Sequence, residues 1–369
     1  MSGWLYLRRL LERGATAEVA DFVANLPASA FAGLVAPIDE YERTFQRSPG
    51  ALGQRQCDAM LLAATAVLPL ASVVARWIGR YGIELGNSAG VSVRRLLMKC
   101  LRIRDREWLV ELVLRLARLN RISADQLWLV SALSHEVGML LPATDSVVVA
   151  WARGGVPESG AAWDPILLRT FSTAGAGRYF VRQSGKGLAD AVMEAIAAGR
   201  FSRDDVIDRC ATALGRRFRA GDIRGYLAMY TQLDLTPREV ADRPAAFVQL
   251  LDGGYERVAA LAQSELIRAE EAGLLGTDWV LDATRAVFRR GDRRMTHVQF
   301  TWLESMLVRS PGAADAVVQA VQPLSEHHDE DISKAAEALA MRHDYLRQGI
   351  LAAVGKTDDE KDQSVDHQV

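Results

Sequence analysis

The 369-residue sequence predicts an all-α protein, a right-handed α-solenoid of HEAT-like antiparallel helix pairs, and three observations carry that expectation. First, Ser202-Arg-Asp-Asp205 and Thr236-Pro-Arg-Glu239 each place a carboxylate three residues after a hydroxyl N-cap. Pro237 occupies the first helical position, where its missing N–H costs nothing. Second, apolar residues recur at helical spacing: Ile207, Cys210, Leu214 and Phe218; then Ile223, Tyr226, Leu227 and Tyr230; then Val258, Leu261, Ala262 and Leu266. Third, these stripes are separated only by short breaks at Arg219-Ala-Gly221, Asp252-Gly-Gly254 and Ala272-Gly273. Helix starts near 203, 237, 277 and 313 recur about every 34 to 40 residues, within the range of helix-pair repeats. One such pair cannot bury its apolar face alone, so stacking of neighbours completes the core. Pro244 should kink or split the helix that Thr236 opens near Asp242, which favours the HEAT class over the tetratricopeptide class.

The remaining elements follow in order. Helices are expected over 2–13, 16–25 (stopped before Pro27) and 28–45. Ala59 to Ala75 is uncharged, but it is too short for a membrane span and is broken at Leu68-Pro69-Leu70, so it reads as a buried helix pair. Helices over 91–101 and 107–119 flank the turn 102–106, and the second carries the apolar face Trp108, Leu109, Leu112, Val113 and Leu116. Ser123-Ala-Asp-Gln126 is another capping box, and 145–151 reads as a short helix despite its β-branched run. Helical patterns resume over 164–171 and 188–196, with Gly199 as a natural C′ residue, and continue over 278–290, 295–309, 313–321 and 332–346.

These patterns divide the chain into an N-terminal helical lobe (1–153), a Gly-rich junction (154–187), a repeat region (188–349) and a charged, disordered tail (350–369). A formal net charge of −2 gives no global field for nucleic acid. Three widely spaced cysteines, Cys57, Cys100 and Cys210, fit neither a disulfide framework nor a zinc site and read as reduced and inert. The apolar run after Met1 is too short for a signal peptide and is followed at once by Arg8-Arg9, so a cytoplasmic location is expected.

Several segments carry a resemblance. Asp204-Asp-Val-Ile-Asp-Arg-Cys210, Arg219-Ala-Gly-Asp-Ile-Arg-Gly-Tyr-Leu227, Leu235-Thr-Pro-Arg-Glu-Val240, Ala246-Phe-Val-Gln-Leu-Leu251, Val258-Ala-Ala-Leu261 and Leu281-Asp-Ala-Thr-Arg-Ala-Val287 are similar to an uncharacterised bacterial family of helical-repeat proteins carrying a domain of unknown function. The similarity spans about 188–321. It rests on caps and core positions, so it implies the fold and no catalytic residue. Genes of that family often lie beside an AAA+ ATPase of the MoxR type and a von Willebrand A-domain protein. The resemblance therefore implies a scaffold in an ATPase-adaptor system.

Motifs for chemistry are weak. Gly175-Ala-Gly177 lacks the third glycine of a dinucleotide fingerprint, where Phe180 stands. Ser184-Gly-Lys-Gly187 lacks the flanking residues of a phosphate loop. His327-His-Asp-Glu330 reads as an exposed interhelical loop rather than a metal site, and His135-Glu136 lacks the second histidine of a zincin helix. Neither a catalytic residue nor a cofactor or metal ligand is assigned. The remaining signal is arginine, in three turns: Arg102, Arg104 and Arg106; Arg216, Arg217 and Arg219; Arg289, Arg290, Arg293 and Arg294. Turns within pairs project from one edge of a solenoid, so these residues form a candidate partner-binding edge. Lysine is scarce and acids are interleaved, which weakens the signal. Because none of Arg216, Arg217, Arg289 and Arg290 belongs to an apolar stripe, their replacement by serine is expected to leave folding nearly intact. The favoured function is a non-enzymatic protein-binding scaffold. The rival is a nucleic-acid-binding solenoid, of which a helical-repeat DNA glycosylase is one form; Trp279 or Trp302 with Asp278 could be imagined in its site, but their positions fit helix starts and core stripes better.

Overall fold

The hydroxyl caps open helices where the sequence places them. Ser202 accepts from the Asp205 N–H, and Thr236 and Glu239 cap each other reciprocally, the Glu239 N–H donating to Thr236 Oγ1 (3.2 Å) and the Thr236 N–H to Glu239 Oε2 (2.8 Å). Pro244 splits the second helix into 237–241 and 244–251. The computed structural model describes residues 3–46, 53–81, 87–88, 91–154, 163–181, 187–325 and 330–341. Among them the chain is all-α, apart from one antiparallel pair of two-residue strands, β1 (Asn87–Ser88) and β2 (Val91–Ser92).

The chain divides into two compact units, Met1–Phe201 and Ser202–Val369. In the first lie α1 (Gly3–Arg13), α2 (Thr16–Ala24), α3 (Ala28–Gln46), α4 (Gln54–Val67), α5 (Ala71–Tyr81), α6 (Val93–Leu101), α7 (Arg106–Ala117), α8 (Ala124–Glu136), α9 (Asp145–Gly154), α10 (Asp164–Arg169) and α11 (Leu188–Ala197). The uncharged stretch Ala59–Ala75 forms the end of α4 and the start of α5, turning at Leu68, and no helix among the described residues is long and apolar enough to cross a membrane. Gly14 joins α1 to α2 at φ +62°, and a Cβ there would lie 2.7 Å from Arg55 Cβ, so both the backbone and the approach of α4 call for glycine. Within the described part of 154–187, Phe171, Ala176 and Phe180 are buried, and the two phenyl rings pack 5.0 Å apart, so the missing third glycine is a core position. Helix α11, which the sequence groups with the repeats, belongs to the first unit.

In the second unit lie α12 (Arg203–Gly215), α13 (Ala220–Leu233), α14 (Pro237–Ala241), α15 (Pro244–Leu251), α16 (Glu256–Glu271), α17 (Thr277–Arg290), α18 (Arg293–Arg309), α19 (Ala314–Val321) and α20 (330–341). Helix α12 packs on α13 and α15, α15 on α16 and α17, and α17 on α18 and α19, while α16 also packs on α18. First helices of successive pairs thus touch one another, while among the second helices α16 touches α18, and α14 packs on α16. Their apolar stripes are buried between the layers: Ile207, Cys210 and Leu214; Tyr226 and Tyr230; Val258, Ala262 and Leu266.

Several polar ties between neighbouring pairs span about one repeat of sequence. In the second unit Arg203 binds Glu239 across 36 residues, Tyr255 OH donates to Phe218 O across 37, and Arg309 binds Glu270 across 39. In the first, Arg104 Nε donates to Thr65 O and Trp108 Nε1 to Pro69 O, both across 39 residues. Each tie lets a guanidinium, indole or phenol satisfy a carbonyl or carboxylate of the adjacent pair.

Two results are expected at the Thr236 cap. Thr236→Ala lowers stability by about 1 kcal/mol, read by thermal melting. Glu239 is held down at about 2, first by its hydrogen bond from Arg203, against burial and aided by the Thr236 N–H and hydroxyl. A depressed carboxyl stabilises the fold above its unfolded value near 4.5, and that contribution is lost as pH falls toward about 2. The melting difference between wild type and Glu239→Gln should therefore be full at about pH 6 and shrink steadily below about pH 4.5.

Candidate functional site

The arginines singled out in the sequence have different environments. In the first unit, Arg102 forms a two-pronged pair with Glu136 (3.1 and 3.0 Å), which raises the guanidinium and lowers the carboxyl pKa through that hydrogen bond. Arg104 donates to Thr65 O (2.9 Å) and Leu68 O and lies 4.5 Å over the Trp108 ring. Arg106 donates to Val137 O (3.1 Å). These three tie the α6–α7 turn to its neighbours on either side.

In the second unit the turns within pairs are linked in series. Tyr255 OH reaches Phe218 O, Arg289 pairs with Asp252 at 2.9 Å, and Arg290 donates to Leu251 O (3.3 Å) and Gly253 O. Arg293 pairs with Asp331. Arg216 lies 5.7 Å over the Phe218 ring. The arginine-bearing turns are therefore brought to one edge, but Arg289, Arg290 and Arg293 are occupied in holding it together. The expectation that Arg290 is dispensable to the fold does not fit this geometry: absence from an apolar stripe does not make a side chain idle when it donates to two carbonyls, whereas the Arg289 pair with Asp252 is exposed and contributes little. Arg290→Ala should lower stability by about 1–2 kcal/mol, whereas Arg217→Ala stays within about 0.5 kcal/mol, compared by urea titration.

What remains is a distinct set. Arg217, Arg219, Arg224, Arg257 and Arg294 are exposed and have no ion pair, hydrogen bond or ring contact among the described residues. The second unit's other described arginines are engaged, for example Arg243 with Asp204 (2.6 Å) and Asp208 (2.5 Å), and Arg285 with Asp282 (2.5 Å). All five lie where the second helix of a pair begins: Arg217 and Arg219 directly before α13, Arg224 one turn inside it, Arg257 second in α16 and Arg294 second in α18. A cation there opposes the helix dipole by about 0.3–1 kcal/mol, so helix stability does not account for their placement. Nearby acids are mostly spent: Asp252 and Asp331 pair with arginine, Asp222 is buried, and Asp292 caps α18 by accepting from the Met295 N–H (3.0 Å). Glu256 alone stands exposed without a partner beside this row, among the described residues.

Arg224 and Arg257 escape the sequence reading because neither belongs to a cluster. The signal that finds them is a basic residue at the wrong end of a helix. Beyond the row, the outward side of these helices carries no ionised side chain for two turns or so. Leu227, Ala228, Thr231 and Gln232 face outward or lie half-buried on α13, Ala260, Leu261 and Ser264 on α16, and His297, Val298 and Thr301 on α18.

Other candidates do not form sites. Trp302 is buried, its Nε1 donating to Glu270 Oε2 at 3.1 Å, so it is a core residue and cannot stack on a flipped base. No group of three or more potential metal ligands occurs among the described residues, and His327, His328 and Asp329 lie outside them, as does the 350–369 tail. Burial pushes the Cys100 and Cys210 thiols up to about 12, which keeps them protonated. No known protein family, curated protein or solved structure compared with the chain matches it.

Proposed function

We propose that this chain is a non-enzymatic helical-repeat scaffold, a right-handed α-solenoid of HEAT-like pairs, that binds an acidic segment of a protein partner along the arginine row of its second unit. The observation that carries the reading is the segregation of Arg217, Arg219, Arg224, Arg257 and Arg294 to one edge while neighbouring arginines are paired. Ties that repeat across 36 to 39 residues support the solenoid. Guanidinium groups suit carboxylates because they bind them bidentately, and exposed pairs weaken with salt. The resemblance found in the sequence suggests the partner system, an AAA+ ATPase with a von Willebrand A-domain protein.

A nucleic-acid partner would also answer the arginines, but single strands need aromatic stacking platforms. The outward side of α13, α16 and α18 offers aliphatic and small polar side chains with one imidazole, His297, and no Phe, Tyr or Trp. The test is quantitative capture from native lysate with the full chain and with a variant carrying serine at all five arginines. Capture of an acidic protein at about 0.05 M salt, lost at about 0.5 M and lost in the variant, is the expected result. Equal capture by both proteins overturns the arginine row. Tight binding of oligonucleotide by anisotropy, abolished in the variant, overturns the protein partner.

A further inference from the structure

We infer that the partner segment is an amphipathic helix with acidic residues along one flank, laid across α13, α16 and α18. This rests on the arginine row as the binding edge and adds the surface beside it. Two observations adjoin there. The row supplies unpaired positive charge at the start of all three helices. Immediately beyond it, Gly225–Gln232 on α13, Val258–Ser264 on α16 and Met295–Leu303 on α18 contain no Asp, Glu, Lys or Arg. Solvent-facing helix surfaces normally carry charge, so three uncharged strips in register are unexpected on a surface with no occupant.

The three helices neighbour one another. Gln263 on α16 donates to Gln299 on α18 (2.9 Å), and α16 is tied to both ends of α13, by Tyr255 OH to Phe218 O just before it and by Arg268 to Leu235 O just beyond it. Packed helices lie about 8–10 Å apart, so the uncharged surface runs about 20 Å across the three. A helix rising about 1.5 Å per residue covers that with about 13 residues, or some four turns. Its apolar stripe would meet Leu227, Ala260, Leu261 and Val298. Carboxylates on the flank turned toward the helix starts would then reach Arg224, Arg257 and Arg294 in succession, because those arginines recur once per pair as the partner's turns pass. The far side of the strip returns to charge with Glu265, Arg268 and Glu271 on α16, which bounds the apolar contact.

The experiment is selection of a displayed random library of about 16-residue peptides on the full-length chain. Winners are then measured by anisotropy against two variants. One has serine at the five arginines; the other, Ala260→Glu with Ser264→Glu and Val298→Glu, puts charge on exposed positions of the strip without touching the core. Circular dichroism confirms that both fold. The expected winners carry Leu, Ile or Phe at i, i+3, i+4 and i+7 with Asp or Glu along one flank. They weaken at least tenfold on each variant. Winners that are acidic but lack the helical apolar period, and that bind the strip variant as wild type, overturn this inference and leave the arginine row standing as the edge. Winners indifferent to the five-arginine variant, or no winners at all, overturn both.

Discussion

Replacing Glu270 by Ala should lower the stability of the second unit by about 3 kcal/mol, the largest effect expected of a single polar substitution here. Glu270 ends α16, is only 8% exposed, and accepts from Trp302 Nε1 (3.1 Å) and from Arg309, which reaches back from the end of α18. Removing one partner of a buried ionic contact costs about 3–5 kcal/mol because the other is left uncompensated. Here the guanidinium regains water, since the Arg309 side chain is 39% exposed, so the lower end applies. The indole N–H does not regain it, and an unsatisfied buried donor costs about 1–3 kcal/mol. Glu270→Gln keeps an acceptor for Trp302 and should lose about half as much. For a unit of this size the Ala variant should melt about 6–12 °C lower. A wild-type melting curve for Glu270→Ala would mean that the ends of α16 and α18 are not joined through this residue.

Glu270 also shows where sequence reasoning stops. The caps at Ser202, Ser123 and Thr236 are legible because both partners lie within three residues, and the helix split at Pro244 because proline acts locally. The short segment at 145 is helical, as its pattern suggests, although its β-branched run is ambiguous. Ties between pairs depend on which turn stacks on which, and no local pattern carries that. Arg289 and Arg294 look alike in sequence as members of one basic cluster. One pairs with Asp252 from the preceding turn, and the other points to solvent. The candidate site was thus legible as a class of residue at a class of position, but not as a membership. Three of its arginines were named for their neighbours in sequence, and Arg224 and Arg257 carry only the fainter signal of a basic residue at a helix start, which burial and pairing bring out.

The second large effect is expected in the core between α16, α17 and α18. Gln299 is fully buried; its Nε2 donates to Thr284 Oγ1 and its Oε1 accepts from Gln263 Nε2, both at 2.9 Å. Gln263 also donates to Met295 O (3.0 Å), and Thr284 donates to Val280 O (2.7 Å). Gln299→Leu keeps the volume but strands one Gln263 N–H in the core, so it should cost about 2–3 kcal/mol. The double variant Gln263→Leu with Gln299→Leu removes donor and acceptor together. It should recover most of that loss, giving a coupling energy of at least about 2 kcal/mol in a double-mutant cycle by urea denaturation. If the losses simply add, the two amides are not bonded and α16 and α18 are held by apolar packing alone. If they couple, the network sets the register of α16 against α18, because an amide pair admits one alignment where apolar packing tolerates several. Arg257 and Arg294 lie about one and a half turns before Gln263 and Gln299, so the same bond fixes their spacing. The double variant should therefore fold about as stably as wild type, yet bind partner less tightly. That separation of stability from binding would tie the buried amides to the exposed arginines.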